Sequence, residues 1–125
     1  MTIKVKRLTD NAKLPVKSTP GSAGFDICAI ERVVIYPGER KLVRTGLSTE
    51  FDDKYALMVC SRSGLALKHG ISVLNSPGII DSDYRGEIGV ILHNAGNEVF
   101  ITEDGTKVAQ LLIIELATYN NWGLR

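Results

Sequence analysis

Apolar residues recur at every second position along much of this chain, and that is the period of a β-strand with one buried face. Residues 3–7 alternate apolar and basic side chains, and an apolar run at 55–60 follows two aspartates. The same criteria predict strands at residues 32–36, 42–43, 47–51, 87–93, 99–101 and 107–116. Short strands separated by turn residues, at intervals of about 8–12 residues, are typical of antiparallel sandwiches and barrels. The pattern therefore predicts an all-β, jelly-roll-like antiparallel barrel or sandwich.

One segment departs from this alternation. Residues 63–69 combine Leu, Ala, Lys and His over one or two turns, and Gly70 follows them. A glycine directly after such a run is a frequent C-cap, because it adopts the left-handed conformation without a steric penalty. We expect one short helix at 63–69 within the β-fold.

Composition limits the classes of function. The chain has 125 residues, of which 44% are hydrophobic and 23% charged, as expected for one globular domain over residues 1–125. Its net charge of +1 provides no general basic field for duplex DNA, so we expect no direct nucleic-acid partner. The aliphatic run 111–114 is too short to span a bilayer, and residues 1–10 lack a signal-peptide core, so no membrane partner is expected.

The two cysteines indicate the compartment. Cys28 and Cys60 are far apart in the sequence and form no Cys-x-x-Cys or Cys/His cluster. A disulfide framework would be denser, and a zinc site would need more ligands. We expect two buried thiols in a reducing, cytoplasmic location and no metal held by thiolates.

Two stretches combine small residues with a charged one. In residues 21–27, Asp26 follows a small-residue turn at the start of a strand, where it is either a solvated turn residue or a carboxylate that reaches a hydrated cation. In residues 61–66, Arg62, Ser63 and Gly64 stand at the start of the predicted helix. They form either a phosphate site or a serine N-cap beside a surface arginine.

Residues 75–87 form the densest group of candidate functional residues. Two isoleucines, two aspartates and a tyrosine lie between a Pro-Gly and an Arg-Gly pair. If residues 78–86 form a hairpin, its backbone edge can present donors and acceptors to a flat polar ring, and Asn75 can add an amide. A carboxylate beside a water is a general base. The alternative is an acidic hairpin tip with Tyr84 packed into the core.

A single polar residue interrupts the last predicted strand. Gln110 lies between Ala109 and Leu111 in an otherwise apolar stretch. A buried glutamine needs hydrogen-bond partners. It either satisfies a backbone group or orients phosphate oxygens and an attacking water.

Four short motifs, in this order along the chain, resemble those of the trimeric deoxyuridine triphosphatase (dUTPase) family. They are residues 23–26 (AGFD), residues 62–66 (RSGLA) with 68–70 (KHG), residues 78–86 (GIIDSDYRG), and Gly105 with residues 109–111 (AQL), of which the third is the most specific. The resemblance implies a jelly-roll subunit and a homotrimer with active sites between subunits. It also implies Mg²⁺-dependent hydrolysis of dUTP to dUMP and pyrophosphate, which keeps uracil out of DNA and supplies dUMP for thymidylate synthesis.

The resemblance also implies roles for individual residues. Asp81 would be the general base for the water that attacks the α-phosphorus, and would hold the 3′-hydroxyl. Tyr84 would lie against the deoxyribose and leave no room for a 2′-hydroxyl. Asp26 would contact Mg²⁺ through its waters, and Gln110 would hold phosphates and the water. The other implied substrate contacts are Asn75, Gly78, Ile79, Ile80 and Gly89 around uracil, and Arg62, Ser63 and Gly64 around the phosphates.

The chain also departs from the family pattern. Phe25, Ser61 and Thr106 replace a frequent Tyr, Pro and Asp, and residues 117–125 contain no Gly-rich motif with Arg and Phe like the family's fifth. Two other functions therefore remain open. One is a nucleotide-binding or regulatory protein with little turnover. The other is a dCTP deaminase, with Glu87 as the candidate catalytic residue.

Overall fold

The computed structural model describes residues 2–117 and 122–123. Most of the segment 117–125, discussed above for its missing motif, therefore lies outside the described residues. The described elements are, in chain order, β1 (Lys4–Arg7), β2 (Phe25–Cys28), β3 (Val33–Ile35), β4 (Arg40–Arg44), β5 (Leu47–Glu50), β6 (Tyr55–Cys60), α1 (Ser63–His69), β7 (Ile71–Val73), β8 (Gly78–Ile80), β9 (Gly89–Asn94), β10 (Phe100–Thr102) and β11 (Lys107–Glu115). This confirms an all-β fold with one short helix.

The strands pair antiparallel in four small sheets. The largest has the order β2-β11-β6-β8, and a second sheet has the order β4-β9-β7. Two-stranded ladders join β1 to β5 and β10 to β3. Most of these pairs connect strands that are distant in sequence, so alternation alone could not predict them.

The core follows the two-residue period that the sequence indicates. Along β9, Val90, Leu92 and Asn94 are fully buried, whereas the residues between them are partly exposed. Asn94 is tolerated there because its Nδ2 donates to the carbonyls of Ile35 and Glu98, at 2.9 Å and 2.8 Å. The larger buried side chains from both main sheets, among them Ile27, Leu57 and Leu111, form one cluster.

Apart from shifts of one or two residues at strand ends, predicted and observed elements differ in two places. Ile71–Val73 forms β7, which the sequence analysis did not assign. The segment 78–86 is not a ladder hairpin, because β8 pairs with β6 while β9 pairs with β4 and β7 in the other sheet. The chain reverses direction through a turn in which the Tyr84 amide donates to the Asp81 carbonyl at 3.1 Å. The segment therefore crosses between the two sheets.

The cysteines are unpaired, but they are half-buried rather than fully buried as expected. Cys60 is opposite Gln110 in the β6–β11 ladder, and Cys28 lies two residues after Asp26 in β2. Both therefore share the partly open face of the sheet that carries these polar residues. Burial still raises the pKa of each thiol.

Within the described part of the chain, no helix has the length and apolar character needed to cross a membrane.

Candidate functional site

A pocket of about 190 Å³ opens where β8 and the following turn meet the start of β9. We call it the β8 pocket. It contains every residue of the third motif region that the sequence analysis assigned to a flat ring or to base catalysis. The lining residues are Val59, Asn75, Gly78, Ile79, Ile80, Asp81, Tyr84, Glu87, Ile88 and Gly89.

One wall of the β8 pocket packs closely against a glycine. An added Cβ at Gly78 would lie 3.3 Å from Asn75 Nδ2 and 3.4 Å from the Cβ of Val59. The amide of Asn75 thus lies against the backbone of β8. Because β8 ends the order β2-β11-β6-β8, its second edge is left unpaired by the described strands. The pocket therefore presents backbone polar groups beside a side-chain amide.

Tyr84 closes another side of the β8 pocket and does not enter the core. Its hydroxyl donates to the Glu87 carbonyl at 3.0 Å, and 46% of its surface is exposed. The ring lies directly over Gly86, where an added Cβ would be 2.4 Å from the Tyr84 hydroxyl. The ring is therefore held as a flat wall, and the alternative of a core tyrosine is wrong.

Two acidic side chains line the β8 pocket and differ in their partners. Asp81 is exposed, and its backbone carbonyl closes the turn with Tyr84. The carboxylate of Glu87 instead accepts from Arg44 Nε at 3.1 Å and from the Gly46 amide at 2.8 Å. These bonds hold Glu87 against the end of β4 and the residues that follow it, whereas Asp81 is open to solvent. This geometry favours Asp81 as the base and argues against a deaminase that relies on Glu87.

A second group of polar residues, which we call the Asp26 cluster, consists of Ser18, Asp26, Arg62 and Lys107. The Asp26 side chain is only 10% exposed, and Arg62 Nε lies 3.2 Å from its Oδ1. Its Oδ2 accepts from Ser18 Oγ at 3.0 Å and lies 3.5 Å from Lys107 Nζ. Asp26 is therefore a buried, paired carboxylate rather than a solvated turn residue.

Gln110 lies beside the Asp26 cluster in the middle of the main sheet. It is opposite Asp26 in β2 and Cys60 in β6, and its Nε2 donates to the Ser61 carbonyl at 3.0 Å. Its Oε1 faces Gly24, where an added Cβ would be only 2.3 Å away. Gln110 thus satisfies a backbone group, as one of the two alternatives predicted, and it fixes the loop that leads to Arg62.

The start of α1 lies next to this loop. Arg62 precedes the helix in an extended conformation, with φ −95° and ψ 128°, and no side chain caps the helix. Ser63 and Gly64 form the exposed first turn, which contains no acidic residue. The alternative of a capping serine is therefore wrong, and the arginine is tied to Asp26 rather than free at the surface.

The predicted site residues fall into two separate groups within one chain. Asp26, Arg62, Ser63, Gly64 and Gln110 are absent from the lining of the β8 pocket. In the described residues, no three His, Cys, Asp or Glu side chains come together as a potential metal cage. The chain thus presents a ring-sized pocket with a carboxylate, and elsewhere a cationic cluster.

Sequence reasoning missed several residues of both groups. Lys107 and Ser18 contact Asp26, and Ser61 Oγ accepts from the Val73 amide at 2.8 Å. Gly86 makes room for Tyr84. A glycine inside a motif is a usable signal of close approach, but the partners of Asp26 depend on strand pairing that the sequence does not reveal.

The dUTPase family model matches residues 10–122 of this chain. The chain is 51% identical over 113 residues to the deoxyuridine 5′-triphosphate nucleotidohydrolase of Nautilia profundicola, covering 90% of this chain and 80% of that protein. It is 49% identical over 117 residues to the enzyme of the same name from Wolinella succinogenes, covering 94% and 78%.

Solved structures share the fold. A variant dUTPase from phage phi11 of S. aureus, described with a structural Mg(II) ion, superposes with a TM-score of 0.91 at 24% identity, covering 99% of this chain and 97% of that one. A variant dUTPase of Staphylococcus bacteriophage 80alpha with dUpNHpp superposes with a TM-score of 0.89 at 25% identity, covering 98% and 88%. The likeness extends over almost all of this chain.

Proposed function

This chain belongs to the dUTPase family and hydrolyses dUTP, and we propose how its two groups of residues divide that work. The β8 pocket binds the deoxyuridine part, and the Asp26 cluster with Gln110 and the start of α1 binds the triphosphate. The reaction yields dUMP and pyrophosphate by attack of water on the α-phosphorus. The observation that carries the proposal is a ring-sized pocket in which Asp81 is the exposed carboxylate.

Uracil is recognised mainly by backbone groups. Gly78, Ile79, Ile80 and Gly89 line the pocket and would present main-chain donors and acceptors to the base. The Asn75 amide adds a side-chain donor and acceptor. Cytosine differs from uracil in its donor and acceptor pattern, and thymine carries an additional methyl group. A close-fitting pocket therefore rejects cytosine through unpaired polar groups and thymine by steric clash.

The sugar lies against Tyr84. Because the Tyr84 hydroxyl is bonded to the Glu87 carbonyl, the tyrosine ring is a fixed surface rather than a mobile side chain. A ribose would bring its 2′-hydroxyl against this ring, so deoxyribose is preferred. Asp81, on the same turn, reaches the 3′-hydroxyl and the attacking water.

Hydrolysis then depends on positioning and charge. Asp81 takes the proton of the water, while Arg62 and the amides of Ser63 and Gly64 hold the phosphates in line. Gln110, bonded to the Ser61 carbonyl, keeps that loop in place. Phosphoryl transfer needs little covalent chemistry from the protein, so a base and preorganised donors suffice.

The Asp26 carboxylate fits an Mg²⁺ ion carried by the substrate. Mg²⁺ keeps several waters and needs only one or two carboxylates besides phosphates. Asp26 provides one carboxylate, whose oxygens already contact Arg62, Ser18 and Lys107. We propose that Asp26 contacts the ion through its waters. When bound, Mg²⁺ neutralises charge on the phosphates.

A homotrimer with sites between subunits accounts for the separation of the two groups. Within one chain the β8 pocket contains none of the phosphate residues, so a neighbouring subunit would supply the second half. An apolar groove of about 440 Å³ offers a surface for that contact. Its lining residues are Ile3, Val5, Pro15, Phe25, Thr49, Leu57, Leu111 and Ile113.

A cytoplasmic location is proposed as well. The chain has two cysteines, both unpaired, and so it has no disulfide that an oxidising compartment would maintain.

Pyrophosphate release tests the function. The protein is incubated with Mg²⁺ and dUTP, dCTP, dTTP or UTP at equal concentration, and both pyrophosphate and ammonia are measured. We expect release from dUTP to exceed release from the other three at least about 100-fold, because a binding site with unpaired polar groups or a clash discriminates by that much or more. Ammonia from dCTP would identify a deaminase, and tight dUTP binding without turnover by the folded protein would identify a regulatory protein.

A further inference from the structure

Strand β11 contains an irregularity beside the Asp26 cluster. In its ladder with β2, Gln110 is opposite Asp26 and Ala109 is opposite Ile27, but Lys107 is opposite Cys28, and the register shifts between Lys107 and Ala109. One extra residue, Val108, is therefore accommodated on β11. This is the arrangement of a β-bulge.

The bulge changes the face on which Lys107 lies. In a regular strand, residues three apart point to opposite faces, so Lys107 and Gln110 would be separated by the sheet. With the bulge, Lys107 is opposite Cys28, which shares a face with Asp26. The side chains of Lys107, Asp26 and Gln110 therefore lie on one face, and Lys107 Nζ comes within 3.5 Å of Asp26 Oδ2.

The charges on this face are unequal. One buried carboxylate, Asp26, is paired with two cations, Arg62 and Lys107. The group as a whole is therefore cationic, and a second anion would complete the charge balance.

The lysine is also accessible. The Lys107 side chain is 51% exposed, compared with 10% for Asp26, so its ammonium has donors available on the solvent side. Since the base-binding pocket lies elsewhere, the part of the nucleotide that reaches this cluster is the part farthest from the base.

We propose that the bulge at Val108 recruits Lys107 as a further binding residue for the terminal phosphates of the nucleotide. The proposal rests on the function assigned above, because it takes dUTP as the ligand. It adds Lys107, which lies between the matched residues Gly105 and Ala109 of the fourth motif and was assigned no role there. Lys107 keeps Asp26 oriented in the free protein and donates to the terminal phosphates when the nucleotide binds.

Nucleotide affinities test this proposal. Binding of the imido analogue dUpNHpp, of dUDP and of dUMP is measured by calorimetry for the wild type, Lys107→Met and Lys107→Arg. We expect Lys107→Met to weaken binding of dUpNHpp about tenfold, since a hydrogen bond to a charged group is lost, and to change dUMP binding less than about twofold. Lys107→Arg keeps the charge and is expected to stay within about threefold of the wild type.

Lys13→Met is the matched control. Lys13 also forms an ion pair with one aspartate, Asp104, at 2.6 Å, but its charge is balanced one to one. We expect this variant to bind dUpNHpp like the wild type. Thermal unfolding accompanies each measurement, and Lys107→Gln serves the same test if Lys107→Met does not fold.

Each remaining outcome is decisive. Equal loss of dUMP and dUpNHpp binding in Lys107→Met, or no loss at all, would overturn the role of Lys107, as would an equal loss in Lys13→Met. If the wild type binds none of the three nucleotides, the assigned function fails rather than this inference.

Discussion

Asp81 and Asp83 are two exposed carboxylates on one turn, and only Asp81 lines the β8 pocket. At the residue scale, the predicted function depends on which of the two side chains lines the pocket, because these residues of the same type are separated only by Ser82. In the proposed site, Asp81 is the carboxylate that takes the proton of the attacking water. Asp83 has the same chemistry without that position.

The pair Asp81→Asn and Asp83→Asn tests the general base. Asp81→Asn removes the base and should lower kcat about 10²- to 10⁴-fold. Its affinity for dUpNHpp should stay within about threefold of the wild type, because the amide keeps the shape of the carboxylate. Asp83→Asn should retain wild-type turnover. Single-turnover hydrolysis and calorimetry measure both. Wild-type turnover by Asp81→Asn, or an equal loss in both variants, would contradict the assignment.

Gly24 and Gly21 offer a second matched pair. An added Cβ at Gly24 would be 2.3 Å from Gln110 Oε1, whereas one at Gly21 meets nothing within 4 Å. Gly24→Ala should displace the Gln110 amide from its bond to the Ser61 carbonyl, and so lower kcat/KM for dUTP about tenfold or more.

The Gly21→Ala variant should retain wild-type kcat/KM and change the free energy of unfolding by less than about 0.5 kcal/mol. Steady-state kinetics and urea unfolding of both variants measure these effects. Wild-type kinetics in Gly24→Ala would show that the position of Gln110 does not matter.

The sequence predicted some of these residues and missed others. Asp81 and Tyr84 were predicted because their motif is long and specific, and the β8 pocket contains both. Lys107 was missed because a period of two assigns it to the opposite face from Gln110, and only the bulge reverses that. The partners of Asp26 come from three different parts of the chain.

At the scale of elements, the seven-residue helix α1 ends at a glycine C-cap. Gly70 ends it in the left-handed conformation, with φ 68°, and its amide donates to the carbonyls of Ala66 and Leu65. The following chain then passes closely against another loop, since an added Cβ at Gly70 would be 2.7 Å from the Gly96 amide nitrogen. Local sequence predicted this helix, because the signals for its end are adjacent residues.

Gly70→Ala and Gly38→Ala distinguish the cost of the left-handed backbone conformation from the cost of the close approach between loops. Both glycines have positive φ, at 68° and 85°, but an added Cβ at Gly38 meets nothing within 4 Å. Gly38→Ala should therefore lower the free energy of unfolding by about 1–2 kcal/mol, which is the cost of placing a Cβ in the left-handed conformation. Gly70→Ala should lower the free energy of unfolding by about 2–4 kcal/mol in total, because the clash with the backbone of Gly96 adds to the conformational cost. Urea unfolding at equal protein concentration measures both, and an equal loss would contradict the close approach.

Elements that depend on distant partners were predicted less well. Strand β7 is only three residues long, and it is stabilised by pairing with β9 and by the Ser61 hydroxyl, neither of which its own sequence reveals. The segment 78–86 has the composition of a hairpin, but its two ends join different sheets.

At the scale of the whole molecule, alternation predicted an all-β fold but not its sheet order. The central position of β11, between β2 and β6, brings Gln110 next to Asp26 and Cys60. That position results from pairing over long sequence separations. The extension of one domain over residues 1–125 stays a prediction.

The central claim is that the nucleotide site is completed between subunits, and mixing two inactive variants tests it directly. Asp81→Asn lacks the base, and Arg62→Gln lacks the main phosphate donor, so each alone should be nearly inactive. The two are unfolded and refolded together in equal amounts, with each variant refolded alone as the control, and dUTP hydrolysis is measured.

If Asp81 and Arg62 of one site come from different chains, random assembly pairs two intact halves in about one quarter of the sites. We therefore predict recovery of about one quarter of the activity of refolded wild-type protein. Activity no higher than that of the two variants refolded separately would contradict the account, because it would mean that each site is completed within a single chain.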